Sequence, residues 1–278
     1  MPEGDTIHRA AAALHRALAG RNIVRFESVF PTLTRVHDDH PLTSMSVERV
    51  QSSGKHLLMH FSGGFVLRTH MRMHGSWHIY RPGERWRHNP RDMRVLVATA
   101  DFEAVGFNIP VAEFIKVDPT HALAKHRVLG KLGPDALAAD FDRDEAVRRL
   151  RSRPVSLIAD ALLNQQLLAG LGNVFKSEVL FACGINPFVT VAALTDSELA
   201  HLVDTGRKLL QANIGGSSTG LATYTGSRRT TGRDNPAEQL WVYGRGRLPC
   251  RRCGTAIDVK KHGADERLTY WCPECQKS

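Results

Sequence analysis

The chain has 278 residues, a formal net charge of +9 and a pI near 9.6. That length accommodates two domains and an appendage, and no apolar run approaches the ~18 residues needed to span a bilayer, so no membrane insertion is expected. The basic excess favours a polyanionic partner, and the acidic, polar start "MPEGDTIH" lacks the order of a secretory signal, so a cytoplasmic location is expected.

Removal of an initiator Met would expose Pro2, a secondary amine, with Glu3 beside it. Both residues also suit the first turn of a helix, so the pair reads equally as a helix start. Ile7, Ala11, Leu14 and Leu18 follow at helical spacing, and Gly20 marks a stop. Beyond it, segments such as "KHLLMHF", "GFVLRTHM" and "MRVLVATA" alternate between turn residues, predicting a β-sandwich or barrel of about eight strands that ends near Asp118. The periodicity is helical from about Pro119 to Gly215, and "LLNQQLLAGLGNVFKSEVLF" reads as a helix running into Gly170-Leu171-Gly172 and restarting at Asn173. Glycines there permit close approach, and the new N-terminus offers unpaired N–H groups to a phosphate; an ordinary helix turn capped by Asn173 fits the same letters.

Residues 216–235 are rich in Gly, Ser, Thr and Arg without periodicity, predicting a long loop. Cys250-x-x-Cys253 and Cys272-x-x-Cys275, with eighteen residues between the pairs, have the spacing of a zinc site. Cys183 lies in the apolar "EVLFACGINP" and reads as a small buried hydrophobe. Three basic clusters, "RMHGSWHIYRPGERWRHNPRDMR", "GSRRTTGR" and "YGRGRLPCRRC", together suggest a binding face.

The Pro-Glu start, "GKHLLMHF", "LAGLGNVFKSEVLF" and the terminal "CRRCGTAIDVKKHGADERLTYWCPECQK" resemble, in this order, the formamidopyrimidine-DNA glycosylase and endonuclease VIII family of bacterial base-excision repair. The resemblance implies a multidomain α+β fold. An N-terminal catalytic β-sandwich with its leading helix would occupy residues 1–118, a helix–two-turns–helix domain with a lesion loop 119–235, and a zinc finger 236–278. It implies a bifunctional DNA glycosylase and abasic-site lyase working through an N-terminal proline iminium. Pro2 is then the nucleophile, Glu3 the general acid and base, and Lys55 a phosphate contact at the lesion. Met73 would fill the gap left by the extruded base, and Asn173 and Arg267 would hold phosphates. One structural Zn²⁺ on Cys250, Cys253, Cys272 and Cys275 would fix the hairpin carrying Arg267.

The expected partner is double-stranded DNA with oxidised bases or abasic sites, bound by a monomer in the cytoplasm at the nucleoid. Family members that act on purines commonly carry a second glutamate shortly after the first, where this chain has Asp5 and Thr6; they also carry an Arg-Phe pair late in the sandwich, where it has Phe102 without an adjacent arginine. The start "MPEGDT" is closer to the endonuclease VIII branch, which removes oxidised pyrimidines. Two alternatives stay open: a glycosylase for oxidised purines such as 8-oxoguanine, and a zinc-bearing DNA-binding protein without catalysis.

Overall fold

Glu3 opens the first helix, α1 (Gly4–Leu18), whose Ile7, Ala10, Ala11, Leu14, Ala17 and Leu18 form one buried apolar stripe. The computed structural model describes residues 2–117, 123–215, 228–263 and 265–277; the expected boundary at 118–119 and residues 216–227 of the expected loop lie outside them. Among the described residues the chain divides into two compact units, the first ending at Lys131.

In the first unit α1 is followed by β1 (Ile23–Ser28), α2 (Pro31–Asp39), β2 (Val47–Ser53), β3 (His56–Phe61), β4 (Phe65–His70), β5 (Ser76–Tyr80), β6 (Met93–Thr99), β7 (Glu103–Phe107) and β8 (Val111–Lys116). They form two antiparallel four-stranded sheets, ordered β1-β6-β7-β5 and β2-β3-β4-β8. Ile23, Phe26, Val95 and Val97 of one sheet share a core with Leu57, Met59, Phe61 and Leu67 of the other, and α1 closes it by packing on β2 and β3. The expected sandwich is therefore present. Helix α2 was not anticipated: its nine residues bury only Leu33, too weak an apolar stripe to stand out as periodic.

The second unit carries α3 (Arg143–Arg151), α4 (Ile158–Leu163), α5 (Asn173–Ala182) and α6 (Asp196–Ile214), then the hairpin β9 (Asp258–His262) and β10 (Arg267–Trp271). Asp142 caps α3 through the Glu145 N–H, and Thr195 with Glu198 forms a capping box on α6. The helices share one apolar cluster, including Leu162, Leu171, Phe175, Val179, Leu202 and Leu210. A smaller cluster joins Phe181 of α5 to Val242, Ile257, Cys250 and Cys272, so the cysteine module is seated on α5. Helix α4 stops at Leu163, nine residues short of Gly172, rather than running into the glycine turn. Cys183 is half-buried, and burial pushes its thiol pKa up.

Candidate functional site

In the first unit Glu3 has extended backbone (φ −123°, ψ −173°), and its carbonyl accepts the Ile7 N–H at 3.0 Å as the N-cap of α1. Its side chain is fully buried at the positive end of the helix. Pro2, directly ahead, lines a cavity of about 260 Å³ together with Thr6, Met71, Met73, His74, Ser76, Trp77, His78 and His88. Asp5 is buried and turned into the helix, accepting the Thr6 hydroxyl at 3.2 Å with Arg9 at 3.8 Å. His78 Nε2 lies 2.9 Å from Ser76 Oγ and its ring centroid 4.4 Å from that of His88. Burial, assisted by the neighbouring His88 and Arg87, lowers its pKa to about 4, so its ring is neutral at pH 7.

Met73 is 56% exposed on the turn after β4, outside the core. Arg72 before it has φ +48°, a region uncommon for non-glycine residues, and a Cβ on Gly75 would meet the Met71 carbonyl oxygen at 2.6 Å. Lys55 is half-buried in the turn between β2 and β3 rather than free in solvent. Burial lowers the His70 pKa to about 4, assisted by the charges of Lys55, Arg72 and Arg68, and lowers that of His56 to about 3. Arg68 is held by Glu113 at 2.6 Å and reaches His56 Nδ1 at 2.9 Å. The end of this sheet is therefore a positive patch with neutral imidazoles between its cations.

In the second unit the glycine turn is organised by Gln165. Its amide donates to the carbonyls of Leu163 (2.8 Å) and Leu171 (2.9 Å), and its oxygen accepts the Gly170 N–H at 3.1 Å. Gly170 has φ +104°, which requires glycine. Gly172, not Asn173, caps α5, and no side chain serves that cap. The Asn173 amide donates instead to the Leu268 carbonyl on β10 at 2.9 Å, and its oxygen accepts Lys176 Nζ at 2.8 Å. Arg267, the first residue of β10, pairs with Asp265 through Nη2 at 2.9 Å and Nε at 3.1 Å.

Glu178, also on α5, is fully buried and accepts the backbone N–H groups of Trp241 (2.8 Å), Val242 (2.9 Å) and Tyr243 (2.8 Å) and the Thr230 hydroxyl. Burial raises its pKa, against the pull of those donors. Sequence reasoning passed over Gln165, Lys176 and Glu178. Their signal is local: every residue from Asn173 to Phe181 is buried, so a lysine and a glutamate inside that stretch must be holding partners.

The four sulfurs of Cys250, Cys253, Cys272 and Cys275 lie within 4.8 Å of one another, with Cys253 and Cys272 at 3.4 Å and Cys250 and Cys275 at 3.9 Å. Zn–S bonds of ~2.3 Å in a tetrahedron place sulfurs roughly 3.8 Å apart, so the cluster fits Zn²⁺ and leaves no open position. Of the basic clusters, the first exposes Arg81, Arg85, Arg87 and Arg91. The last is largely structural. Arg245 and Arg251 donate to backbone carbonyls, and Arg252 lies over the Phe181 ring at 4.5 Å.

Three family models match the chain: the formamidopyrimidine-DNA glycosylase N-terminal domain over residues 1–108, the formamidopyrimidine-DNA glycosylase H2TH domain over 132–224, and the zinc finger found in FPG and IleRS over 247–277. The chain is 41% identical to a probable endonuclease 8 2 of Streptomyces coelicolor, covering 99% of this chain and 94% of that one. It is 35% identical to the DNA-(apurinic or apyrimidinic site) lyase Nei2 of Mycolicibacterium smegmatis, covering 99% of each. Among solved structures, the Lactococcus lactis Fpg in complex with abasic-site DNA matches over 100% of both chains, at 27% identity and a TM-score of 0.81.

Proposed function

Since the chain belongs to the formamidopyrimidine-DNA glycosylase and endonuclease VIII family, we propose that it excises oxidised pyrimidines from duplex DNA and cuts the abasic strand through an iminium on Pro2. It is a DNA glycosylase and abasic-site lyase of base-excision repair carrying a structural zinc. One observation carries the assignment of roles. Pro2, directly ahead of α1, lines a cavity whose other polar walls are hydroxyls and imidazoles, and Met73 stands exposed at the same cavity.

The chemistry follows from the amine. An α-amino group titrates near ~8, so an appreciable fraction is neutral at cellular pH without special tuning. The Pro2 nitrogen attacks C1′ of the damaged nucleotide and the base leaves with the glycosidic electron pair. The amine then loses its proton, the C1′–O4′ bond opens as O4′ takes a proton, and the resulting iminium draws the electrons released by loss of a C2′ proton as the 3′ phosphate is eliminated. Glu3 moves protons around the sugar. Lys55 in the first unit, and Asn173 and Arg267 in the second, contact phosphates; Met73 occupies the space of the extruded nucleotide. Zinc, when bound, fixes the loops around the hairpin that bears Arg267 and takes no part in the reaction.

Preference for pyrimidines is supported by the relatives named endonuclease 8 and by the inward turn of Asp5, which leaves Thr6 at the cavity. The protein is read as a monomer acting in the cytoplasm at the nucleoid. Among the described residues, no helix is long and apolar enough to cross a membrane.

The test is borohydride trapping on an abasic duplex. A covalent adduct at Pro2 that is lost in Pro2→Gly is expected, and an undiminished adduct in a protein retaining Met1 would move the nucleophile to a lysine. Excision compared on thymine glycol and 8-oxoguanine duplexes tests the base preference; faster release of 8-oxoguanine would overturn it.

A further inference from the structure

Lys176 lies in the middle of α5 with no exposed surface. Among the described residues its ammonium meets three acceptors: Asn173 Oδ1 at 2.8 Å, Thr269 Oγ1 at 2.6 Å and, more distantly, the Leu268 carbonyl at 3.5 Å. Three acceptors match the three N–H bonds of an ammonium, and a cation removed from water needs all of them. Two of the three belong to β10, the strand that begins at Arg267.

The contacts continue past Thr269. Thr269 Oγ1 also lies 2.8 Å from His262 Nε2 on the paired strand β9. His262 Nδ1 lies 3.2 Å from Asp160 on α4, without the alignment of a hydrogen bond. Burial lowers the His262 pKa. The contacts from Asn173 through Lys176 and Thr269 to His262 tie α5 to both strands of the hairpin inside the second unit.

Lys176 also settles which way the Asn173 amide faces. With the oxygen taken by the ammonium and one N–H on the Leu268 carbonyl at 2.9 Å, the other N–H of the amide is the group that can serve a phosphate. We infer that Lys176 is a positioning residue for DNA: it orients the Asn173 amide and fixes the start of β10, so that Asn173 and Arg267 present their donors to the phosphate backbone as one preset unit. This inference rests on the DNA-contact roles proposed above for Asn173 and Arg267. Preset donors bind more tightly than mobile ones because no rotamer freedom is lost on binding.

The experiment is a double-mutant cycle between Lys176→Met and Asn173→Ala, read as affinity for a duplex carrying a tetrahydrofuran abasic-site analogue, with zinc content and thermal midpoint measured on each variant. Each single variant is expected to bind roughly tenfold more weakly, and the double variant to lose less than the two single losses combined. A merely structural lysine would give additive losses, and that outcome overturns the inference. Unchanged binding in Lys176→Met with weakened binding in Asn173→Ala overturns it too, while leaving the DNA role of Asn173 in place. Unchanged binding in Asn173→Ala rejects that role, and the inference with it. Should Lys176→Met lose zinc or fail to fold, Thr269→Val replaces it in the cycle, removing one acceptor of the ammonium at constant volume; binding unaltered by Thr269→Val counts against the inference in the same way.

Discussion

Glu178 on α5 holds Val242 by a 2.9 Å hydrogen bond to its backbone N–H, and it receives the neighbouring N–H groups of Trp241 and Tyr243 at 2.8 Å each. Three consecutive donors on one buried carboxylate make the entry to the cysteine module part of the helical unit. Glu178→Gln would turn an amide NH₂ toward those donors and should lower the stability of the second unit by roughly 2–3 kcal/mol. Urea unfolding followed through Trp241 fluorescence measures this; an unchanged midpoint would remove Glu178 from that role.

Glu3→Gln preserves size but deletes the proton relay proposed for this side chain. DNA affinity should stay within about twofold, and base excision should fall by roughly 10²- to 10⁴-fold. Single-turnover kinetics on a thymine glycol duplex separates the two quantities. A loss confined to affinity would make Glu3 a folding residue.

Arg267 is engaged by Asp265 at 2.9 Å through its Nε and Nη2 edge, so in the phosphate-contact role proposed for it a phosphate competes with that carboxylate. Asp265→Asn should therefore strengthen DNA binding by a few fold, while Arg267→Ala and Lys55→Ala should each weaken it and flatten the salt dependence by about one phosphate contact. Titrations at several salt concentrations report both the intercept and the slope.

Chelation of zinc, or Cys272→Ser, should open the module built on Cys250, Cys272, Ile257 and Val242, which is too small to fold on its own apolar surface. Most of the far-ultraviolet circular dichroism should persist, whereas affinity for lesion DNA should drop because Arg267 lies in the same module. Metal analysis finding no zinc in active protein would reject the site.

His60, buried on β3, meets no hydrogen-bond partner at Nε2 among the described residues, and burial with Arg49 nearby lowers its pKa to about 4. His56, His70 and His78 are depressed likewise, to about 3, 4 and 4. Such groups bind protons in the unfolded chain before the folded one. Their contribution is complete above pH ~6.5 and is lost as pH falls toward about 4. His60→Leu should shift the acid unfolding limb of the first unit to lower pH and reduce its steepness, as measured by denaturant midpoints at successive pH values. An unshifted limb would show that His60 is already protonated in the folded state.

Much of this protein is legible from local sequence. Helices α1 and α6 follow from helical spacing because each buries one apolar stripe, which leaves a period in the letters, and the strands follow from short apolar runs set between turn residues, β3 being buried along its whole length. The paired Cys-x-x-Cys motifs declare the metal module because thiolates at that spacing converge on a tetrahedral ion. Pro2 and Glu3 stand out because a secondary amine beside a carboxylate is a chemical feature of the letters themselves.

Other features depended on contacts between residues far apart in the chain. Helix α2 buries one leucine and leaves no period, and the exposure of Met73 together with the partial burial of Lys55 reverses what those residue types suggest alone. Asn173 reads as a cap, yet its amide is committed to Leu268, 95 positions away; Lys176 and Glu178 find partners 93 and 63 to 65 positions away. A buried charge carries no periodic signature. Its place is set by acceptors and donors that only the folded chain brings within 3 Å, because a desolvated ammonium or carboxylate persists only where those partners converge.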